Sequence, residues 1–162
     1  MTLKKGDKAP AFKLYNTEKH EISLDDFNGK TVVLHFFPQA FTGTCTKQLC
    51  AVRDEFPKYH NNKTETLAIS VDSTFTLNKF KEIQNYQFTM LSDFNRMVVP
   101  HYSGFYENFS MAMQGVAKRA VYVIDGNGII QYTQTIEVAG DMPDFAALDA
   151  ALEAVNGVQA GN

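Results

Sequence analysis

The chain has 162 residues with a net charge of -3, 44% hydrophobic and 20% charged, so one domain with a full core is expected and no disulfide staples are needed. That balance excludes a nucleic-acid binder that works by neutralising phosphates. Met1 to Pro10 is polar and lysine-containing, and nowhere do about 18 apolar residues run together, so neither a secretory signal nor a membrane span is expected and the chain reads as cytoplasmic.

Taken in order, Phe12, Leu14 and Ile22 alternate as a hairpin would, with Asn16 and Thr17 suited to the turn. Leu24 to Lys30 then reads as a short helical turn stopped by Gly29. Val32 to Phe37, written VVLHFF, is β-branched and aromatic, which suits a strand buried on both faces. Pro38 ends it. Gln39 to Thr44 forms a turn into a helix whose N-cap is Thr42 or Thr44, and Cys45 falls in the first helical turn. Unpaired backbone N–H groups and the positive end of the macrodipole favour a thiolate there, which would make the sulfur a nucleophile near neutral pH. The competing reading is an inert buried thiol.

Cys50 stands five positions further on. In an intact helix the two Cα atoms would lie about 8 to 9 Å apart, too far for a disulfide, which needs them within about 7 Å. A bridge would therefore require the first helical turns to melt. Spacing alone fits a small core residue beside Leu49 and Val52 equally well. Two cysteines in a cytoplasmic chain suggest redox chemistry rather than scaffolding.

Leu49, Val52 and Phe56 recur at helical spacing, predicting a helix from about Gly43 to His60, with Pro57, Asn61 and Asn62 marking its end. Leu67 to Val71 is the next strand, and Asp72, Ser73 or Thr74 caps a helix carrying Leu77, Phe80 and Ile83. Tyr102 to Gln114 is expected as a loop or lid. Its Met111 and Met113 read as gap-fillers in a core or interface, and Phe105, Tyr106 and Phe109 suit a dimer contact.

Ala120 to Ile124 and Ile129 to Thr133 read as strands joined by Asp125-Gly126-Asn127-Gly128, a hairpin signal rather than a calcium loop because no EF-hand spacing continues it. Asp144 to Val155 follows Pro143 as the last helix, and Asn156 to Asn162 is expected to be loose. Strands alternating with helices predict an α/β architecture with a parallel-centred sheet.

Of the four histidines, His35 lies within the buried strand, where packing or hydrogen bonding fits better than metal ligation, and His20, His60 and His101 fall in turns or helix ends. No H-E-x-x-H, paired C-x-x-C or clustered carboxylates occur, so no metal site is expected. Neither G-x-G-x-x-G nor G-K-[ST] is present to hold a nucleotide.

Pro38, Thr42 and Cys45 spell P-x-x-x-T-x-x-C, which resembles the active-site signature of the peroxiredoxins. The surrounding FFPQAFTGTCTKQLC most resembles the Q-type members, also called bacterioferritin comigratory proteins, and the neighbouring E-type alkyl hydroperoxide reductases. KGDKAPAFKL near the start, and FTMLSDFNR from Phe88 to Arg96, resemble the family's opening and its following strand and loop. The resemblance implies one thioredoxin-like domain over residues 1–162 with an N-terminal β-hairpin extension.

It further implies that Cys45 attacks the O–O bond of a hydroperoxide and becomes a sulfenic acid. Thr42 would position thiolate and peroxide, and Pro38 would shield the cysteine. Cys50 matches the resolving cysteine of many Q-type members. Arg119, which by itself reads as a surface arginine beside Lys118, matches the arginine that lies against the reactive sulfur. Met111 and Met113 could then line an apolar peroxide approach. One position departs from the pattern: Gln48 stands where Q-type members commonly carry Glu. The implied cycle uses no bound cofactor, ends in a Cys45–Cys50 disulfide and is reset by thioredoxin or a similar dithiol, in a monomer or homodimer. The alternatives are a one-cysteine peroxidase resolved by an external thiol and a non-enzymatic redox sensor or chaperone.

Overall fold

The computed structural model describes residues 2–59 and 63–160. Lys13–Asn16 (β1) and Glu21–Ser23 (β2) pair antiparallel with Leu14 opposite Ile22. Asn16 closes the turn, its Oδ1 accepting from the N–H of Glu18 and of His20. A short 3-10 turn, Leu24–Phe27, follows and ends before Gly29, which adopts a φ of 88° that suits glycine.

Thr31–Phe36 (β3) has every residue buried, as its apolar run demands. The strand's two-residue period decides what each side chain meets. Val32, Leu34 and Phe36 pack into a core with Phe12, Leu14, Val99, Tyr102 and Ala117, whereas Val33 and Phe37 face the opposite side. Gly43–Tyr59 (α1) occupies that opposite side, placing Cys45, Leu49 and Val52 in a cluster with Phe37. The helix runs through Pro57, whose missing N–H falls in the last turn, and the expected end at His60 lies outside the described residues.

Thr64–Ser70 (β4), Thr74–Gln84 (α2) and Thr89–Ser92 (β5) continue the alternation. Ser73 caps α2 by accepting from the N–H of Thr76. Ala120–Ile124 (β6) and Ile130–Thr135 (β7) form the second hairpin, and Phe145–Ala160 (α3) packs Leu148 and Leu152 on Val33, Val121 and Val123. Among the described residues seven strands form one sheet in the order β2-β1-β5-β4-β3-β6-β7. The centre, β5-β4-β3, is parallel; β6 joins β3 antiparallel, and the N-terminal hairpin attaches through β1 against β5.

Several expectations are corrected. β4 starts at Thr64 rather than Leu67, because Thr64 is already the register partner of Thr31 at the start of β3. Ile83 is 53% exposed, so α2 uses only Leu77 and Phe80 as its buried stripe. Met111 is 88% exposed, in a 3-10 turn at Ser110–Ala112, and fills no core gap. Tyr106 is buried in its own chain's core, and the partly buried Phe105 and Phe109, expected at a dimer contact, pack against that core, which leaves such a contact untested. The last helix does not fray at Asn156: its amide bridges the starts of two strands, accepting from Thr31 Oγ1 at 3.0 Å and donating to Thr64 Oγ1 at 3.3 Å. Among the described residues no helix is long and apolar enough to cross a membrane.

Candidate active site

The site lies where β3 runs into α1. Phe37 N–H still donates to Ile69 O, holding the chain to the sheet, and the buried Pro38 turns it away. The turn is pinned by Asp72, whose Oδ2 accepts from Ala40 N–H at 2.8 Å and from Ser70 Oγ at 2.7 Å. Burial pushes this carboxyl above its usual range, and those two donors partly offset the effect. Phe41 adopts a φ of 67°, a left-handed conformation that costs a non-glycine residue about 1–2 kcal/mol, and its ring packs 4.8 Å from Phe80.

Thr42 is the residue before the helix, its carbonyl accepting from Thr46 N–H and from Thr46 Oγ1. Its hydroxyl turns back to donate to Gln39 O at 2.7 Å. Cys45 is then the third helical residue and is fully buried, in an apolar cluster with Phe37, Leu77, Phe80 and Met90.

Arg119 meets it from the other side of the sheet's centre. Phe36 pairs with Ala120 in the antiparallel β3–β6 ladder, so the residue preceding β6 stands beside the end of β3. Arg119 Nη1 lies 3.3 Å from Cys45 Sγ and donates to Gln48 Oε1 at 2.8 Å, while Nη2 donates to Ala139 O at 2.8 Å. Its backbone N–H donates to Tyr106 Oη at 3.2 Å, and that hydroxyl donates to Ile136 O at 2.7 Å. Only 1% of Arg119 is exposed, and its Nε has no hydrogen-bond partner among the described residues.

The charge next to the sulfur can be weighed. A helix N-terminus stabilises an anion by roughly 0.3–1 kcal/mol, up to about 2 when partly buried. A unit charge at about 4 Å is worth roughly 4 kcal/mol at an effective dielectric of 20. Of the two, the guanidinium is the larger electrostatic feature beside the sulfur.

Cys50 lies apart from this group. Both thiols are free, α1 is continuous between them, and Cys50 is partly exposed where Cys45 is not. Its sulfur sits 3.5 Å from Gln84 Oε1 and 3.6 Å from Tyr86 Oη. Arg53, one turn further along α1, donates to Gln84 O at 2.7 Å. Burial, together with the Cys50 contact, raises the Tyr86 hydroxyl well above its ordinary range, so it stays a donor.

Of the residues singled out in the sequence, Cys45 and Arg119 are in contact, Gln48 links to them, Thr42 and Pro38 shape the turn, and Cys50 stands on another face. The Ala139 carbonyl carried no sequence signal, and Asp72 and Tyr106 were singled out only as a helix cap and a dimer contact, because their roles here come from pairings distant in the chain. His35 is buried, stacks on Phe145 at 6.4 Å and lies 3.4 Å from Gln48 Nε2 through its Nδ1. Among the described residues no group of three or more His, Cys, Asp or Glu could hold a metal ion.

Residues 5–133 match the family model described as AhpC/TSA family. The chain is 36% identical over 128 residues to peroxiredoxin Q, chloroplastic, of Oryza sativa subsp. japonica, covering 79% of this chain and 57% of that one. It is 32% identical over 161 residues to the thioredoxin-dependent peroxide reductase, mitochondrial, of Mus musculus, covering 93% and 59%. Among solved structures, the peroxidoxin BcpB of Mycobacterium tuberculosis superposes with a TM-score of 0.80 at 25% identity, over 96% of this chain and 98% of that one.

Proposed function

This chain belongs to the AhpC/TSA family, the peroxiredoxins, and from that premise we propose that it reduces hydrogen peroxide and organic hydroperoxides with Cys45 as the attacking sulfur. The observation that carries the reading is the Arg119 guanidinium 3.3 Å from Cys45 Sγ, with both side chains buried. Attack of the thiolate on one peroxide oxygen breaks the O–O bond and gives Cys45–SOH; the other oxygen leaves as alkoxide or hydroxide and takes a proton. The negative charge that passes from sulfur to the leaving oxygen stays within reach of a fixed cation, the Arg119 guanidinium. Thr42 orients the approach from the helix start, and Pro38 keeps water from the sulfur.

Resolution falls to Cys50. Its thiol attacks the sulfenic sulfur, water leaves, and a disulfide joins the two residues. Thioredoxin or a similar dithiol then reduces that bond and is itself oxidised to a disulfide. The niche made by Gln84 and Tyr86 supports this role, because a hydroxyl 3.6 Å from Cys50 Sγ can donate to a developing thiolate. The intact helix between the cysteines favours a second reading, in which an external thiol resolves Cys45 directly.

Peroxide consumption coupled to thioredoxin, its reductase and NADPH separates the two. Under the two-cysteine cycle the Cys50→Ser variant stalls after one turnover and over-oxidises at Cys45. Full turnover of that variant with thioredoxin would establish the one-cysteine reading. Stopped-flow oxidation too slow to sustain any turnover would leave a redox sensor or chaperone.

A further inference from the structure

Arg119 also holds a chain of polar groups that runs away from the sulfur, and its hydrogens can be assigned by elimination. A guanidinium only donates, so the Gln48 atom 2.8 Å from Arg119 Nη1 is the carbonyl oxygen. The Gln48 amide nitrogen then points the other way, to His35 Nδ1 at 3.4 Å. An amide nitrogen only donates as well. His35 Nδ1 must therefore present its lone pair, and the imidazole proton must sit on Nε2.

We propose that His35 is a positioning residue for the peroxide reaction: its neutral Nε2–H tautomer fixes the Gln48 amide, and through it the Arg119 guanidinium against Cys45. The inference rests on the reading of Cys45 as the attacking sulfur. Burial supplies its force. Gln48 is 0% exposed, His35 2% and Arg119 1%, so no bulk water can replace a lost partner. Without an acceptor at His35, the Gln48 NH2 becomes a buried unpaired donor. Rotating the amide to relieve that would turn NH2 groups toward the guanidinium and release Nη1 from its second acceptor.

The ring is held from several directions. β3 pairs His35 with Ala68 on one side and Val121 on the other, and the Phe145 ring of α3 stacks on it. Across a narrow crevice it shares lining with Glu55 of α1 and Thr66 of β4. Desolvation pushes the imidazole down to about 4, which keeps the acceptor form populated at neutral pH. At the family position where Glu is common, Gln48 is the residue whose amide can serve both neighbours, since a carboxylate has nothing to donate to a neutral Nδ1.

Nitrogen-15 NMR of the reduced, histidine-labelled wild-type chain reads the tautomer directly. A protonated Nε2 with a bare Nδ1 at neutral pH is expected, and an Nδ1–H tautomer or an imidazolium would overturn the proposal whatever the variants do. In the Cys50→Ser background, His35→Phe should slow the second-order reaction of Cys45 with hydrogen peroxide about tenfold, the loss of roughly one hydrogen bond's orientation. His35→Asn, whose Oδ1 can accept from Gln48, should recover most of that loss. With Gln48→Glu in place, His35→Phe should cost nothing further. An undiminished rate in His35→Phe, or an equal loss in His35→Phe and His35→Asn, would also overturn it. A peroxide reaction that survives Cys45→Ser would instead remove the underlying reading and leave the tautomer result standing.

Discussion

Under the proposed function two side chains carry the chemistry, and they differ in what can replace them. Cys45 supplies the electron pair. Arg119 reaches Cys45, Gln48 and Ala139 with one planar fork, which a lysine's point charge cannot do. Arg119→Lys should therefore lower the rate of Cys45 oxidation by at least about tenfold, and Arg119→Met by about a hundredfold or more, the equivalent of roughly 3 kcal/mol. Stopped-flow measurement with peroxide in excess checks both; a lysine variant as fast as wild type would show that charge alone suffices. His35 gives a separate prediction for stability. Its pKa is lowered to about 4 in the folded chain against about 6.5 unfolded, so between these values the unfolded state binds a proton that the folded state does not. Stability is then complete above about 6.5 and falls as pH drops toward 4, by roughly 3 kcal/mol in total. Denaturant titrations at several pH values should show this slope in the wild type and a shallower one in His35→Phe.

The proposed two-cysteine cycle gives helix α1 two jobs that conflict. Intact, it offers Cys45 to Arg119; bridging Cys45 to Cys50 requires its first turns to open. The later part is tied down, with Cys50 against Gln84 and Tyr86, and Arg53 bonded to Gln84 O. Opening should thus be confined to the segment before Cys50. Hydrogen exchange comparing reduced and peroxide-treated protein should show protection lost at 43–49 and retained at 52–56, and loss over the whole helix would contradict it. Tyr86→Phe, which removes the hydroxyl beside Cys50, should slow disulfide formation several-fold while leaving the first oxidation of Cys45 unchanged. These elements were largely legible in the sequence. β3 announced itself by its apolar run, α1 by Leu49, Val52 and Phe56, and the second hairpin by Asp125 to Gly128. The start of β4 was not, because Thr64 and Glu65 join a strand only through pairing with β3. Nor was the persistence of α3 past Val155, which depends on Asn156 bridging two strand starts.

Topology explains why residues 74 apart in sequence meet. An antiparallel β6 beside β3 brings the residue before Ala120 to the end of Phe36, and the turn after Pro38 swings the helix start over the same spot. Sequence spacing gave no access to this; only likeness to a known family placed Arg119 at the sulfur, and nothing placed Tyr106 behind it. The hairpin that carries β6 is locked to the loop before β3, with Gly29 N–H donating to Gly126 O at 2.9 Å. A Cβ on Gly126 would come within 3.1 Å of the Gly29 backbone. Gly126→Ala should therefore destabilise the fold by about 1–3 kcal/mol, measurable by chemical denaturation, while an unchanged midpoint would show the contact to be slack. The proposed chemistry depends on which atom the peroxide meets first. Cys50→Ser protein treated with one equivalent of hydrogen peroxide, trapped with a sulfenic-acid reagent and mapped by peptide mass spectrometry, should carry the adduct at Cys45 and nowhere else. An unmodified Cys45, with oxidation at methionines or at no residue, would contradict it.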